Sequence, residues 1–315
     1  MRYKELGQSG IKLSVVGQGT WAMGQDMWGT IEDTDSIATI RKAVEGGINL
    51  IDTAPGYGNG HSEEVVGKAI RGIRDQVALL TKCGVYLKDG NTICHDLSPK
   101  AIRGELEQSL TRLGTDMIDI YIIHYPDPDT SLEESLAELA KLKQEGKVRC
   151  IGVSNFDLPL LKKALEITEI GCIQPQFSLL SRQNEEMLRY AHAHGVGVVT
   201  YGSLAAGMLT GTITKLPEFD ESDARNFFYP FFKEPMFSRG LKLVDSLRII
   251  AKRHEKPVSH VALNWVTQQE PVTVALVGAM KPQEAAENAL AGTWELSTEE
   301  LAEIDSAYQQ YLAEA

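Results

Sequence analysis

Asn49-Leu50-Ile51-Asp52-Thr53-Ala54-Pro55-Gly56-Tyr57-Gly58 ends a short apolar run on a carboxylate and sets a phenol in the loop that follows. Leu50 and Ile51 read as the buried end of a strand, Pro55 and Gly56 break it, and the glycines flanking Tyr57 permit turn conformations that present the ring. An ionised Asp at a strand end needs a partner. Taken alone, the stretch also describes a surface loop in which Asp52 caps a turn and Tyr57 is an ordinary half-buried aromatic.

The same grammar recurs on both sides. Upstream, Tyr3 to Leu13 reads as a polar hairpin turning at Gln8-Ser9-Gly10 that caps or plugs something, and Leu13 to Val16 as the first buried strand. Val15 to Ala22 then matches Gly-x-Gly-x-x-Gly/Ala. A dinucleotide fingerprint must open a helix directly, whereas Gly24, Asp26, Trp28 and Gly29 prolong a loop and a helix starts only near Asp33-Thr34, so this match is a decoy.

Downstream, helices are expected over Thr34 to Glu45, Ser62 to Ile70, Pro99 to Leu113, Thr130 to Gln144 (a capping box with Glu133), Leu158 to Ile167, Asn184 to Ala193, Leu241 to Arg253 and Ser259 to Gln269, with a last one from the capping box Ser297 to Glu300. Between them lie short apolar strands: Val77 to Thr81, Met117 to Ile123, Val148 to Val153, Cys172 to Gln174, Val196 to Thr200 and Val272 to Val277. About eight strand–helix rounds without a composition break predict α/β architecture, a (β/α)8 TIM barrel with an N-terminal β-hairpin cap and a C-terminal helix, as one domain over 1–315. In such a barrel the active site lies where the strand C-termini open. Asp52, Lys82, His124, Ser154-Asn155, Gln174 and Tyr201 all fall at or just past strand ends.

Composition bounds the function. The 315 residues are 43% hydrophobic and 23% charged, as in soluble globular proteins. A net charge of −12 argues against nucleic acid and against an anionic membrane face as partners. The N-terminus has no export-type apolar core and no run approaches the roughly 18 apolar residues of a membrane span, so a cytoplasmic location is expected. Four cysteines (Cys83, Cys94, Cys150, Cys172), none in a Cys-x-x-Cys pair, suit reduced thiols and give no metal-site spacing.

The order Asp52, Tyr57, Lys82, His124, with Gly152-Val153-Ser154-Asn155-Phe156, Gln174, Tyr201-Gly202-Ser203-Leu204, Gly278-Ala279 and Glu287-Asn288, resembles the aldo-keto reductase superfamily over essentially the full chain. Gly19-Thr20-Trp21-Ala22-Met23 with Trp28-Gly29 is similar to its bacterial branch of general-stress and inositol-locus reductases, akin to potassium-channel β-subunits. The resemblance implies an NAD(P)H-dependent oxidoreductase interconverting an aldehyde or ketone, possibly of sugar or polyol metabolism, with its alcohol. Tyr57 is then the acid, Lys82 an ammonium expected to lower the phenol's pKa, Asp52 the group holding Lys82, and His124 the one orienting the substrate oxygen. Singly, Asp52 and Lys82 also read as a buried ion pair and His124 as a core histidine.

By the same resemblance, Ser154, Asn155 and Gln174 meet the nicotinamide carboxamide, Tyr201 stacks on its ring, Ser203 and Leu204 lie near the pyrophosphate, and Gly202 and Gly207 belong to the cofactor set. Gly19, Thr20 and Trp21 join the cofactor set, with Gly278, Lys281, Glu284, Glu287 and Asn288 at the adenosine end. Family members that prefer NADPH grip the adenosine phosphate with Lys or Arg where this chain has Gly278 and Glu284; Lys281 is the countervailing cation. NADP(H) is therefore expected over NAD(H), with a weak preference.

Thr210 to Glu234 is the longest irregular stretch, and loops of that length are usually lids or binding loops. With Trp21, Trp28 and Tyr125, its Arg225 and Phe228 are expected to line the substrate pocket; packing of its aromatics onto the barrel is the plainer alternative. Two other function classes stay open: a redox-sensing regulatory subunit that binds cofactor without needing turnover, and a Schiff-base lyase with Lys82 as nucleophile.

Overall fold

The computed structural model describes residues 1–88 and 92–313. Its strands are β1 (Tyr3–Glu5), β2 (Lys12–Ser14), β3 (Val16–Gly19), β4 (Leu50–Asp52), β5 (Ala78–Cys83), β6 (Val85–Lys88), β7 (Thr92–His95), β8 (Ile118–Ile123), β9 (Val148–Ser154), β10 (Cys172–Gln174), β11 (Gly197–Thr200) and β12 (Val274–Gly278). The helices are α1 (Asp33–Glu45), α2 (His61–Ile70), α3 (Pro99–Leu113), α4 (Leu132–Gln144), α5 (Leu158–Ile167), α6 (Glu185–Ala193), α7 (Arg225–Phe228), α8 (Met236–Arg253), α9 (Val258–Thr267), α10 (Pro282–Ala291) and α11 (Thr298–Ala313). β3, β4, β5, β8, β9, β10, β11 and β12 pair in parallel and close on themselves, giving the expected (β/α)8 barrel.

Period-two alternation decides what faces the barrel axis. Leu50, Leu80, Ile120, Ile122, Cys150, Cys172, Val199, Val274 and Leu276 form an inner core, whereas Ile51, Leu79, Tyr121, Ile123, Ile151, Val153, Ile173 and Val198 belong to the larger core between sheet and helices. At Gly17 the axis is so crowded that a Cβ would meet Leu276, Val274 and Leu50 at 2.8 to 3.3 Å. The β1–β2 hairpin plugs the far end, with Leu6, Ile11 and Leu13 joining the inner core. The same parity carries Asp52, Lys82, Ser154 and Gln174 inward at the opposite mouth.

Several expected boundaries move. The first barrel strand is Val16–Gly19 instead of Leu13 to Val16, so the Gly-Gln-Gly of the decoy is strand; a single 3-10 turn, Trp21–Gly24, follows it, and the first α-helix begins only at Asp33. α4 is capped by Ser131, whose Oγ accepts from Glu134 N, while Thr130 gives its hydroxyl to Asp127 Oδ2 at 2.6 Å. α2 begins at His61 after the left-handed Gly60; Ser62, expected as its cap, turns its hydroxyl to Thr20 and Thr53. α8 starts at Met236 instead of Leu241, and α10 and the β6–β7 hairpin were not expected at all. The capping box at Ser297 holds: Glu300 N donates to Ser297 Oγ and Ser297 N to Glu300 Oε2.

Candidate active site

At the strand C-termini, Lys82 is fully buried and donates to Asp52 Oδ1 at 3.0 Å, Asp52 Oδ2 at 2.9 Å and the Thr53 carbonyl at 2.8 Å. All three ammonium protons are thereby placed. Asp52 is held in turn: Gln174 Nε2 donates to Oδ2 at 2.8 Å, and both the N–H and the hydroxyl of Thr20 donate to its carbonyl. Behind Thr81, the buried Glu63 accepts from Thr81 Oγ1 and from Arg112 Nε, each at 2.6 Å, which fixes the strand that carries Lys82.

Tyr57 stands over this pair, with Lys82 Nζ 4.8 Å from its ring centroid. Its loop is pinned by backbone contact: a Cβ on Gly58, which has φ +59°, would lie 2.0 Å from the Gly24 carbonyl oxygen, and Asp26 Oδ2 accepts from Gly58 N at 3.1 Å. His124 packs edge-on to Tyr57 at 5.7 Å. Burial, then the positive charge of Lys82, holds its imidazole well below the usual histidine range, so it is neutral at neutral pH. The phenol goes the other way from expectation. Burial first, then the Asp52 charge, pushes Tyr57 well above the usual 10.0, because the carboxylate accompanies the ammonium. Burial also lowers Lys82, against the pull of Asp52.

The residues expected at the nicotinamide lie together. Asn155, at φ +57°, donates from Nδ2 to the His124 carbonyl at 2.9 Å and accepts from Tyr201 OH at 2.8 Å; Ser154 Oγ donates to the Gln174 carbonyl at 2.7 Å. The side-chain oxygen of Gln174 makes no hydrogen bond among the described residues. Gly202, Ser203 and Leu204 lead into a turn with three successive positive φ values at Ala205, Ala206 and Gly207. Gly19 pairs with Asp52 in the barrel. Thr20, expected against cofactor, has its hydroxyl committed to Asp52 and Ser62 and is fully buried, so it supports the site from behind.

At the adenosine end the picture is mixed. Gly278 is exposed, and a Cβ there would meet nothing within 4 Å. Lys281 precedes α10, exposed and without an ion pair among the described residues. Glu284 Oε2 accepts from Met280 N at 2.8 Å, so the carboxylate caps its own turn. Glu287 accepts from Ser259 Oγ at 3.3 Å, and Asn288 Nδ2 donates to the Gly278 carbonyl at 3.3 Å.

An aromatic wall surrounds Tyr57. Trp21 stacks on it at 5.9 Å and meets Trp28 at 5.4 Å and Phe228 at 5.8 Å. Arg225 lies 5.5 Å over Trp28 but is held by both oxygens of Asp223 at 2.8 and 2.5 Å, and Ala224 N donates to the Met27 carbonyl, fastening the long loop to the wall. Tyr125 tilts against His124 at 5.2 Å. Tyr229, another aromatic of the long loop, lies 6.3 Å from Trp28, and sequence reasoning missed His95, stacked on Tyr125 at 6.1 Å. His95 comes from the unexpected β6–β7 hairpin, whose sequence signal was the Asp-Gly between two alternating runs.

The Aldo/keto reductase family model matches residues 15–309. The chain is 39% identical to Aldo-keto reductase YhdN of Bacillus subtilis (strain 168), covering 100% of this chain and 96% of that protein. It is 36% identical to the NADH-specific methylglyoxal reductase of Escherichia coli (strain K12), covering 100% and 99%. Among solved structures, the glycerol dehydrogenase AKR11B4 from Gluconobacter oxydans superposes with a TM-score of 0.89 at 38% identity, covering 96% of this chain and 93% of that one. An aldo/keto reductase from Klebsiella pneumoniae in complex with NADP and acetate superposes with a TM-score of 0.75 at 30% identity, covering 94% and 92%.

Proposed function

The chain belongs to the aldo/keto reductase family, and we propose that residues 1–315 form one reductase domain that interconverts a small aldehyde or ketone with its alcohol in the cytoplasm. The observation that carries this reading is the facing of Tyr57 and His124 over the Asp52–Lys82 pair at the barrel mouth. The residues present fit a nicotinamide cofactor: among the described residues Gln174 keeps an amide oxygen without a partner for a carboxamide and Lys281 forms no ion pair, Tyr201 offers an aromatic face, and Gly278 leaves bare surface. When bound, NAD(P)H supplies the hydride.

The chain's own residues supply the proton and the orientation. The phenol of Tyr57, kept protonated by its surroundings, hydrogen-bonds the substrate oxygen and gives up its proton as that oxygen gains electrons. Lys82, buried beside the ring, stabilises the phenolate that remains. Neutral His124 donates a second hydrogen bond and fixes the carbonyl. NADP(H) is the proposed cofactor, with a weak preference, since Lys281 offers that end a cation while Glu284 opposes it; the Escherichia coli relative is named NADH-specific and the Klebsiella structure holds NADP.

The relatives' names, a methylglyoxal reductase and a glycerol dehydrogenase, support substrates of a few carbons with several oxygens. A Schiff-base role for Lys82 is disfavoured, because a nucleophilic amine needs access and a free lone pair, and this ammonium has neither. The test is a screen of carbonyls and polyols against both dinucleotides, read by the absorbance of the reduced nicotinamide. Turnover of small aldehydes is expected; cofactor binding without turnover would favour the redox-sensing reading.

A further inference from the structure

The indole Nε1 of Trp28 is buried and has no hydrogen-bond partner among the described residues. A buried donor left unpaired costs free energy, and native folds rarely leave one without reason. The other side-chain atoms in this position sit on β3 (Gln18), α1 (Ser36), α3 (Ser109), α8 (Arg239) and α9 (Trp265); only that of Trp28 belongs to the wall around Tyr57. One ring, Trp21, separates the two: it lies 5.9 Å from Tyr57 and 5.4 Å from Trp28.

Resting on the reductase reading above, we propose that Trp28 Nε1–H donates to a second oxygen of the substrate, and that the preferred substrates are small, uncharged hydroxy- or dicarbonyl compounds. The reacting carbonyl oxygen occupies the phenol of Tyr57, and the second oxygen, a hydroxyl or carbonyl further along the chain, meets the indole. The wall offers this donor without net charge. Arg225, which lies over the Trp28 ring, is neutralised by both oxygens of Asp223, and His124 is held neutral, so a carboxylated substrate would meet no unpaired cation in these wall residues. Arg225 and Tyr229, which border the indole, both come from the irregular stretch after β11, so the oxygen reaches the nitrogen by parting them.

The test compares isosteres. Glyceraldehyde carries hydroxyls on both carbons after its aldehyde; the methyl-branched butanal with methyl groups in their place has the same shape and lacks both oxygens. Wild type is expected to favour glyceraldehyde in kcat/KM, and also to favour it over glyoxylate. Trp28→Phe keeps an aromatic ring in the wall and removes the N–H together with the five-membered ring; the lost volume affects both isosteric aldehydes, so the ratio of their kcat/KM isolates the hydrogen bond and should fall by about three- to tenfold, the size of one neutral hydrogen bond. An unchanged ratio overturns the assignment of Trp28, and a wild-type preference for glyoxylate overturns the uncharged class. A wild type that reduces no aldehyde overturns the reductase reading and this inference together, whereas reduction with an unchanged ratio overturns this inference alone.

Discussion

In the reduction proposed above, Tyr57 and Lys82 divide the work of one acid between them, and the division follows from where each proton is held. Lys82 keeps its three N–H bonds and donates them as hydrogen bonds to Asp52 and Thr53, so it acts as fixed charge. Tyr57 keeps a proton that burial and Asp52 make hard to lose, which suits an acid that must be protonated before each reduction. Tyr57→Phe is therefore expected to cut turnover by at least ~100-fold, the lower end of general acid catalysis, while dinucleotide binding measured by fluorescence titration stays nearly intact. Because the phenol sits above its usual 10.0, the reduction rate should also show no loss from Tyr57 ionisation between neutrality and about pH 9; a falling limb in that window, absent from the Tyr57→Phe residual rate, would mean the phenol is depressed after all. Lys82 was legible in the sequence because it lies at a strand end with inward parity, and Tyr57 because Pro55 and the flanking glycines set it in the loop that follows Asp52. The direction of the phenol's shift was not: sequence order pairs Tyr57 with Lys82 but says nothing of the burial and the accompanying carboxylate that outweigh it.

Elements legible from the sequence were those whose caps and periods agree, such as α3 with Ser98 before Pro99 and Gly114 at its end. Those lost had rival readings. Thr130 and Ser131 are adjacent capping residues, and only the geometry chooses the second. The stretch that became α10 was taken as cofactor-binding loop, although Pro282 at the first turn and Gly292 after the last were its helix signals. That helix start now bears on the dinucleotide. Glu284 lies in its first turn, where an acid favours the helix, and its carboxylate is spent partly on Met280 N–H, which blunts its repulsion of an adenosine phosphate. Glu284→Arg is expected to tighten NADPH by roughly tenfold and leave NADH little changed, at about 1 kcal/mol of stability for the lost cap. Dissociation constants for both dinucleotides check this. A wild-type preference for NADPH above about a thousandfold would exceed what Lys281 and its neighbours can supply.

The barrel as a whole was legible because alternation at strand ends is a global regularity, and its pH behaviour was not, because it depends on which carboxylates the closed helix ring traps. Glu105 on α3 is such a group. Its Oε2 accepts from Gly84 N at 2.9 Å, one residue past the strand that carries Lys82, and burial, with Asp96 and Glu63 nearby, raises it from 4.5 to about 7, against Gly84 N–H and Arg112. The folded chain thus holds this proton more tightly than the unfolded one. For an acid raised on folding, stability is full below about 4.5 and is lost as pH rises toward 7, after which the ionised half-buried carboxylate is a constant burden, on the order of 3 kcal/mol at most. His124 runs oppositely: lowered on folding, it costs stability as pH falls below 6.5, where the unfolded chain takes up the proton. Glu105→Gln keeps an acceptor for Gly84 and never ionises. Its melting temperature should exceed wild type at about pH 8, by several degrees for a chain of this size, and the gain should vanish near about pH 4. An equal gain at both pH values would mean that packing, and not the trapped charge, sets the difference.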